Sequence, residues 1–312
     1  MSDSKDVITA YSNYDPNKQE QNLPGLDQKM DPLAEHVLVE KWDNNGKPYL
    51  EEYKGTGKLA GKSAIVTGGD SGIGRSVALF FAREGANVTI NYLSEEQEDA
   101  EKVVELVKAA PMGTKELHLV PGDLRDPNFC KSLIDSHVAK WKSLDVLVHN
   151  ASKQISVKDI ADIDIANVES TFQSNIVAAF SLSKHAVPHM KRGSSIIVSG
   201  SVTGFKGSAD KLDYASTKGA LHSFSRSLAQ QLAPKGIRVN GVAPGPVYTP
   251  LQPASQSAEK MDGWAVGVEP LHGRPGQPAE LGPSYVFLAD SGASNLITGS
   301  TLHINAGVWM GA

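Results

Sequence analysis

Tyr214 and Lys218 stand four residues apart in Asp213-Tyr214-Ala215-Ser216-Thr217-Lys218, where helical patterning begins. On a helix that spacing puts both side chains on one face. A phenol with a pKa of about 10 is a poor proton donor or acceptor at neutral pH, but an ammonium group one turn away stabilises the phenolate and lowers that value. The pair suits acid–base chemistry, although a core tyrosine beside a surface lysine has the same spacing. Thirteen residues upstream lies Ser201, in Gly200-Ser201-Val202-Thr203-Gly204 after an apolar run ending at Ser199. That order places a hydroxyl beyond the carboxyl end of a strand, where parallel α/β sheets bind ligands. Asn175 is polar within an apolar helical run; a residue bonded back to its own helix or facing solvent is the plain alternative there.

A second group of residues suits a phosphate ligand. The run Ser63-Ala64-Ile65-Val66-Thr67 leads into Gly68-Gly69-Asp70-Ser71-Gly72-Ile73-Gly74-Arg75 and then an amphipathic stretch with Val77, Phe80 and Phe81. Glycines there allow a tight turn and a close approach of phosphate to backbone, and a helix N-terminus offers unpaired N–H groups. A tight turn without a ligand uses the same glycines. The position between a first strand and a helix favours a dinucleotide, with spacing G-x3-G-x-G rather than G-x-G-x-x-G. A carboxylate at the end of the second strand would hold a ribose 2′-OH. This strand ends Ile90-Asn91-Tyr92-Leu93-Ser94, and Glu95 and Glu96 read as first-turn acids of the next helix. Asn91 and Ser94, helped by Arg75, would bond a 2′-phosphate, so NADP(H) is favoured, with NAD(H) as the other candidate.

These groups need a scaffold, and the chain supplies one from Lys58 onward. Strands are expected at 63–67, 87–92, 117–121, 144–149, 194–199, 238–243 and 302–304, and helices at 73–84, 95–109, 128–141, 163–190, 214–232 and 279–288. About seven strands alternating with helices, many of them apolar on both faces, imply an α/β fold: a doubly wound parallel sheet of Rossmann type with helices on both faces. Residues 1–57 differ in texture and form an N-terminal extension, its first part expected to be mobile. Asn44-Asn45-Gly46 reads as a turn between two short extended pieces. Residues 58–312 form one dinucleotide-binding catalytic domain.

Composition narrows the function classes. With 312 residues, 40% of them hydrophobic, a sizeable core is available. A net charge of −5 without a basic block argues against a nucleic-acid partner. A single cysteine, Cys130, forms no internal disulfide and no cysteine-based zinc site, and reads as a small core residue. The polar start and the lack of a long apolar run argue against export and a membrane span. A cytoplasmic protein is expected.

In these residues the chain resembles the short-chain dehydrogenase/reductase family, from Lys58 to the carboxyl end. The matching pieces are Thr67–Gly74, Gly122-Asp123-Leu124, Asn150-Ala151, Asn175, Ser201, Tyr214 with Lys218, and Asn240-Gly241-Val242-Ala243-Pro244-Gly245-Pro246-Val247 with Thr249. The extension, with Leu23-Pro24-Gly25-Leu26 and Tyr53–Leu59, also resembles a subgroup that includes bacterial stress-associated oxidoreductases and aldehyde reductases. The resemblance implies hydride transfer between NAD(P)H and a small carbonyl or alcohol substrate. Tyr214 would be the general acid or base and Lys218 would lower its pKa and bond the nicotinamide ribose. Ser201 would hold the substrate oxygen and Asn175 a relay water. Gly68, Ser71, Gly72 and Ile73 would line the pyrophosphate and adenosine, and Asp123 and Leu124 the adenine; Gly74, Asn91 and Tyr92 are further cofactor-binding candidates. Asn150 and Ala151 would lie at the ribose, and Pro244, Gly245, Val247 and Thr249 at the nicotinamide. A homotetramer is also implied, with helices 163–190 and 214–232 and the carboxyl-terminal segment at its contacts. The apolar residues between Leu23 and Tyr53 would lay the extension either along the body of its own domain or along a neighbouring subunit. One departure stands out: His149-Asn150-Ala151-Ser152 has a serine where the family has glycine.

Other readings carry less. His185 and His189 have helical spacing but no carboxylate to complete a site, so no metal is expected. Gly200-Ser201-Val202 lacks the glycine two before the serine that a hydrolase elbow needs. Residues 251–277 read as a substrate lid, with Met261, Trp264 and Leu271 as an apolar cover suited to a bulky or aromatic carbonyl compound. A cofactor-sensing or scaffolding protein, and non-redox or imine chemistry on the same groups, are the alternatives; keeping Asn175, Ser201, Tyr214 and Lys218 together favours turnover, because a sensor has no use for the acid.

Overall fold

The computed structural model describes residues 7–311. Mobility is expected of the part before Leu23; residues 1–6 lie outside the described residues, whereas 7–22 are held in place, with Tyr11 buried and bonded to Leu38 O and Gln21 N donating to Pro253 O. The extension forms a hairpin, β1 (Leu38–Trp42) with β2 (Pro48–Glu52), paired antiparallel across the Asn44-Asn45-Gly46 turn. Seven strands follow: β3 (Ser63–Thr67), β4 (Asn87–Tyr92), β5 (Leu117–Pro121), β6 (Val146–His149), β7 (Ser195–Ser199), β8 (Arg238–Pro244) and β9 (Thr301–Ile304). All pair in parallel, in the order β5-β4-β3-β6-β7-β8-β9. The order reverses at β3, so the crevice that such sheets use for ligands opens at the carboxyl ends of β3 and β6.

The helices are α1 (Gly72–Arg83), α2 (Gln97–Ala109), α3 (Pro127–Trp141), α4 (Ile165–Phe172), α5 (Ala178–Ala186), α6 (Thr203–Lys206), α7 (Leu212–Leu232), α8 (Ala258–Met261), α9 (Pro278–Ala289) and α10 (Ser291–Ser294). Strand alternation divides the core in two. Ala64, Val66, Val146 and Val148 join Phe80, Val77 and Tyr285 on the α1–α9 face. Ile65, Leu147, Ile196 and Val198 join Leu133, Leu182 and Leu221 on the opposite face. The expected strands are all present. The single helix expected over 163–190 is instead α4 and α5 joined by a π turn, Gln173–Val177. A wider turn of this kind interrupts the helical ladder and is common at functional sites; here Asn175 sits inside it.

The extension lies on its own domain, against the segment after β8. Tyr248 Oη donates to Pro32 O at 2.8 Å and Gln19 Nε2 to Tyr248 Oη at 3.0 Å. Gln21 N donates to Pro253 O at 2.9 Å and Gly263 N to Pro16 O at 2.9 Å. Met30, Tyr248 and Met261 form a small buried cluster between the two.

Candidate active site

At the carboxyl ends of the strands lies a cavity of about 440 Å³. One wall is the turn between β3 and α1. Gly68 and Gly72 have φ of 59° and 49°, and a Cβ on either would come within 3.0 Å of Ala151 Cα and Thr249 Cγ2. The glycines thus keep open a cradle against the first turn of α1, whose leading N–H groups have no acceptor within the helix. Ser71 is the N-cap yet makes no side-chain cap bond, and with Ile73 it lines the cavity. Such a cradle suits the pyrophosphate of a dinucleotide. Gly74 does not line the cavity: a Cβ there would overlap the Gly68 carbonyl, so this glycine serves close helix–strand packing.

The proton-handling groups come from β7 and α7. Tyr214, on the first turn of α7, is 9% exposed and Lys218 is 3% exposed. Lys218 Nζ lies 5.2 Å from the Tyr214 ring centroid and donates to Ser199 O at 2.8 Å. Burial pushes the phenol up to about 12, with a hydrogen bond from Ser201 opposing it. Burial also brings the ammonium down to about 7. The sequence expectation was a phenol lowered by its neighbour; withdrawal of both groups from water outweighs that attraction. A phenol so raised stays protonated through the neutral range, the state a proton donor needs.

Ser201 is prepared as a hydrogen-bond donor. Its Oγ accepts from Thr203 N at 3.1 Å and from Thr203 Oγ1 at 3.0 Å. With both lone pairs taken, the hydroxyl proton is free to point at a substrate oxygen or at Tyr214. The Ser201 carbonyl accepts from His222 Nε2 at 3.1 Å, and burial lowers His222 to about 4, so the ring is neutral. Sequence reading missed His222; its place two helical turns beyond Tyr214, on the same face, was the available signal.

Asn175 lies outside the cavity lining. Its Oδ1 accepts from Lys153 N at 2.7 Å, and its Nδ2 donates to Lys153 O and to Thr217 Oγ1, each at 3.0 Å. Thr217 in turn donates to Tyr214 O at 2.7 Å. The amide therefore fastens the loop after β6 to α7. Asn150 acts similarly: Nδ2 donates to Thr67 O and Gly68 O, each at 3.1 Å, holding the glycine turn to β6. Ser152 keeps a negative φ, so nothing in the backbone there requires glycine.

The remaining predicted residues, Asn91, Tyr92, Asp123, Leu124, Ala151, Pro244, Gly245, Val247 and Thr249, all line the cavity. Two expectations fail in detail. Asn91 Nδ2 is turned to Val120 O and Gly122 O, at 3.2 and 3.0 Å, and Arg75 is buried against Asp27 and Asp99, at 3.1 and 3.0 Å. Neither side chain is free for a 2′-phosphate. The expected cover also differs: Met261 is buried under the extension, Leu271 stands exposed beside Trp42 and His272, and neither they nor Trp264 reach the cavity. Its apolar rim is Leu23, Pro24, Pro250 and Leu251 instead. Among the described residues no group of His, Cys, Asp and Glu could hold a metal, and no helix is long and apolar enough to cross a membrane.

Comparison with known proteins places this geometry. A family model described as enoyl-(acyl carrier protein) reductase matches residues 68–309. The chain is 44% identical over 287 residues to NADPH-dependent aldehyde reductase 1, chloroplastic, of Arabidopsis thaliana, covering 91% of this chain and 98% of that one. It is 44% identical over 296 residues to glucose and ribitol dehydrogenase of Daucus carota, covering 94% and 96%. A short chain dehydrogenase from Burkholderia cenocepacia, solved in complex with NADP, superposes with a TM-score of 0.72 at 28% identity, covering 80% of this chain and 99% of that one.

Proposed function

The chain belongs to the short-chain dehydrogenase/reductase family and is an NAD(P)-dependent oxidoreductase acting on carbonyl or alcohol substrates, and from that premise we propose that it is a carbonyl reductase for small polar aldehydes or sugars, with NADPH as the favoured cofactor. The observation that carries this reading is the convergence of Ser201, Tyr214 and Lys218 beyond the carboxyl end of β7. The nicotinamide supplies the hydride. Ser201 donates to the carbonyl oxygen and Tyr214 transfers its phenolic proton to that oxygen as it gains charge. Lys218 stabilises the phenolate left behind and reaches the nicotinamide ribose. Asn175 is a positioning residue for Lys153 and Thr217, and the backbone of the π turn is left to hold a relay water. The cradle of Gly68, Ser71, Gly72 and Ile73 holds the pyrophosphate.

The polar substrate class is supported by Ser152, Lys153, Ser174 and Gln252, which line the cavity, and by the two plant relatives. We further propose that residues 249–256 close over the substrate, since Thr249, Pro250, Leu251 and Gln252 line the cavity and Ser255 Oγ accepts from Gln154 Nε2 at 2.6 Å, tying the segment to the loop after β6. Exposed Val177 and Phe180 on the π turn and α5, at 39% and 58%, support a homotetramer packed through this face. We place the protein in the cytoplasm, in line with its single cysteine. The test is Tyr214→Phe: it should bind NADPH as the parent does and lose about 10²–10⁴-fold in carbonyl reduction. Turnover equal to the parent's on every aldehyde and sugar tried would refute the assignment.

A further inference from the structure

We propose that Asp70 and Glu96 read the 2′ position of the cofactor's adenosine ribose, accepting a hydroxyl as carboxylates and a phosphate only when protonated. This rests on the dinucleotide reading above and names the residues that choose between its two cofactors. The end of the cavity formed by Tyr92 and Leu93, at the close of β4, also shows Asp70 and Glu96. Asp70 is 1% exposed, and its Oδ2 has no hydrogen-bond partner. Glu96 is also buried and spends Oε2 on Leu93 N at 2.8 Å. A buried carboxylate oxygen without a donor, bordering a ligand cavity, is a vacancy in the hydrogen-bond accounting that a ligand hydroxyl would fill.

Among the described residues lining this cavity or packed against these carboxyls, every cation is already engaged. Arg75 donates from Nε to Asp70 O at 2.6 Å and pairs with Asp27 and Asp99, while His36 Nε2 lies 2.7 Å from Asp27 Oδ2. Four carboxyl groups, Asp27, Asp70, Glu96 and Asp99, thus crowd one guanidinium and one imidazole. Asp70 faces Ser71 and Arg75 on its own segment, and Asp99, Glu96 and Tyr92 from α2 and β4; Glu96 faces Asp70, Asp99 and Glu95. The basic side chains elsewhere in the lining are held as well: Arg125 by Asp123, Lys153 by Ser170 Oγ, Lys218 by Ser199 O.

Burial and the crowding of like charge push Asp70 up to about 7 and Glu96 up to about 8. Below these values the carboxyls carry protons and donate to a phosphate oxygen; above them two buried carboxylates repel a 2′-phosphate and accept from a 2′-OH.

The experiment is binding, without turnover: NADPH and NADH titrated between pH 6 and 9, followed by nicotinamide fluorescence. The ratio of the NADPH to the NADH Kd should rise at least about tenfold from pH 6 to pH 9, which is 1.4 kcal/mol. Asp70→Asn should flatten the ratio and keep it in favour of NADPH; Glu96→Gln, at the less buried partner, should shift the rise to lower pH. A parent ratio constant within twofold, or an Asp70→Asn profile identical to the parent's, overturns the proposal while leaving the dinucleotide reading intact. Failure of both cofactors to bind at any pH overturns both.

Discussion

The two ends of the cavity use burial on different sets of groups. At the Tyr214 end one acid and one base are withdrawn from water side by side, and each is driven towards its neutral form. At the Asp70 end several acids share one guanidinium, and burial, with the like charge of neighbouring carboxylates added to it, pushes Asp70 and Glu96 up. Both devices rest on the cost of holding charge in a low-dielectric site. They differ in origin. The first is written on a single helix, in residues four apart. The second is assembled from the extension (Asp27, His36), the glycine turn (Asp70, Arg75) and the start of α2 (Glu96, Asp99). A pair on one helix is brought together by that helix alone and needs the rest of the fold only for its burial, whereas an assembled cluster depends on every segment arriving.

Lys218→Met breaks the first end most deeply. We expect kcat/KM to fall about 10²–10⁴-fold, as for loss of an acid–base partner. The sign of its pH dependence is fixed by the direction of the shift. The ammonium is charged below about 7 and neutral above it, so in the parent kcat at saturating cofactor and substrate should decline above about pH 7. That limb should vanish in Lys218→Met; its persistence would assign it to another group. Arg75→Met attacks the second end, leaving Asp27 and Asp99 buried without their cation. A loss of about 3–5 kcal/mol in urea unfolding is expected, and a loss under about 1 kcal/mol would show that the carboxyls relax independently of it. Tyr248→Phe is the mildest change. It removes the bonds to Pro32 O and Gln19 but keeps the packing on Met30 and Met261. About 0.5–1.5 kcal/mol should be lost, read as a small drop in Tm; no drop would mean that apolar packing alone fastens the extension.

The sheet was legible because buried parallel strands are short apolar runs bounded by turn residues, as in Ser63–Thr67 and Ser195–Ser199. The break at Gln173–Val177 was not, since the apolar periodicity of 163–190 continues through it and its polar anchor, Lys153, lies on another segment. Asn91 and Arg75 were misread for a related reason. Their types suit a phosphate, but both had been claimed by nearby partners: two backbone carbonyls for the first, two carboxylates for the second. Within 251–277 the structure puts Leu251 and Gln252 at the cavity rather than Met261 and Trp264, which look like a cover only when the extension packed on them is left out of account.

Taken alone, the amino-acid order determined the alternation of strands and helices, the glycine turn at the head of α1, and the shared face of Tyr214 and Lys218. These are consequences of backbone periods and local sterics that act within a few residues. Tertiary structure decided the pKa shifts of the groups: Tyr214, Asp70 and Glu96 up, Lys218 down. It also decided that Leu23 and Pro24 rim the cavity. A pKa is set by the water and charge within a few ångströms of the group, and those neighbours come from segments far apart in the chain.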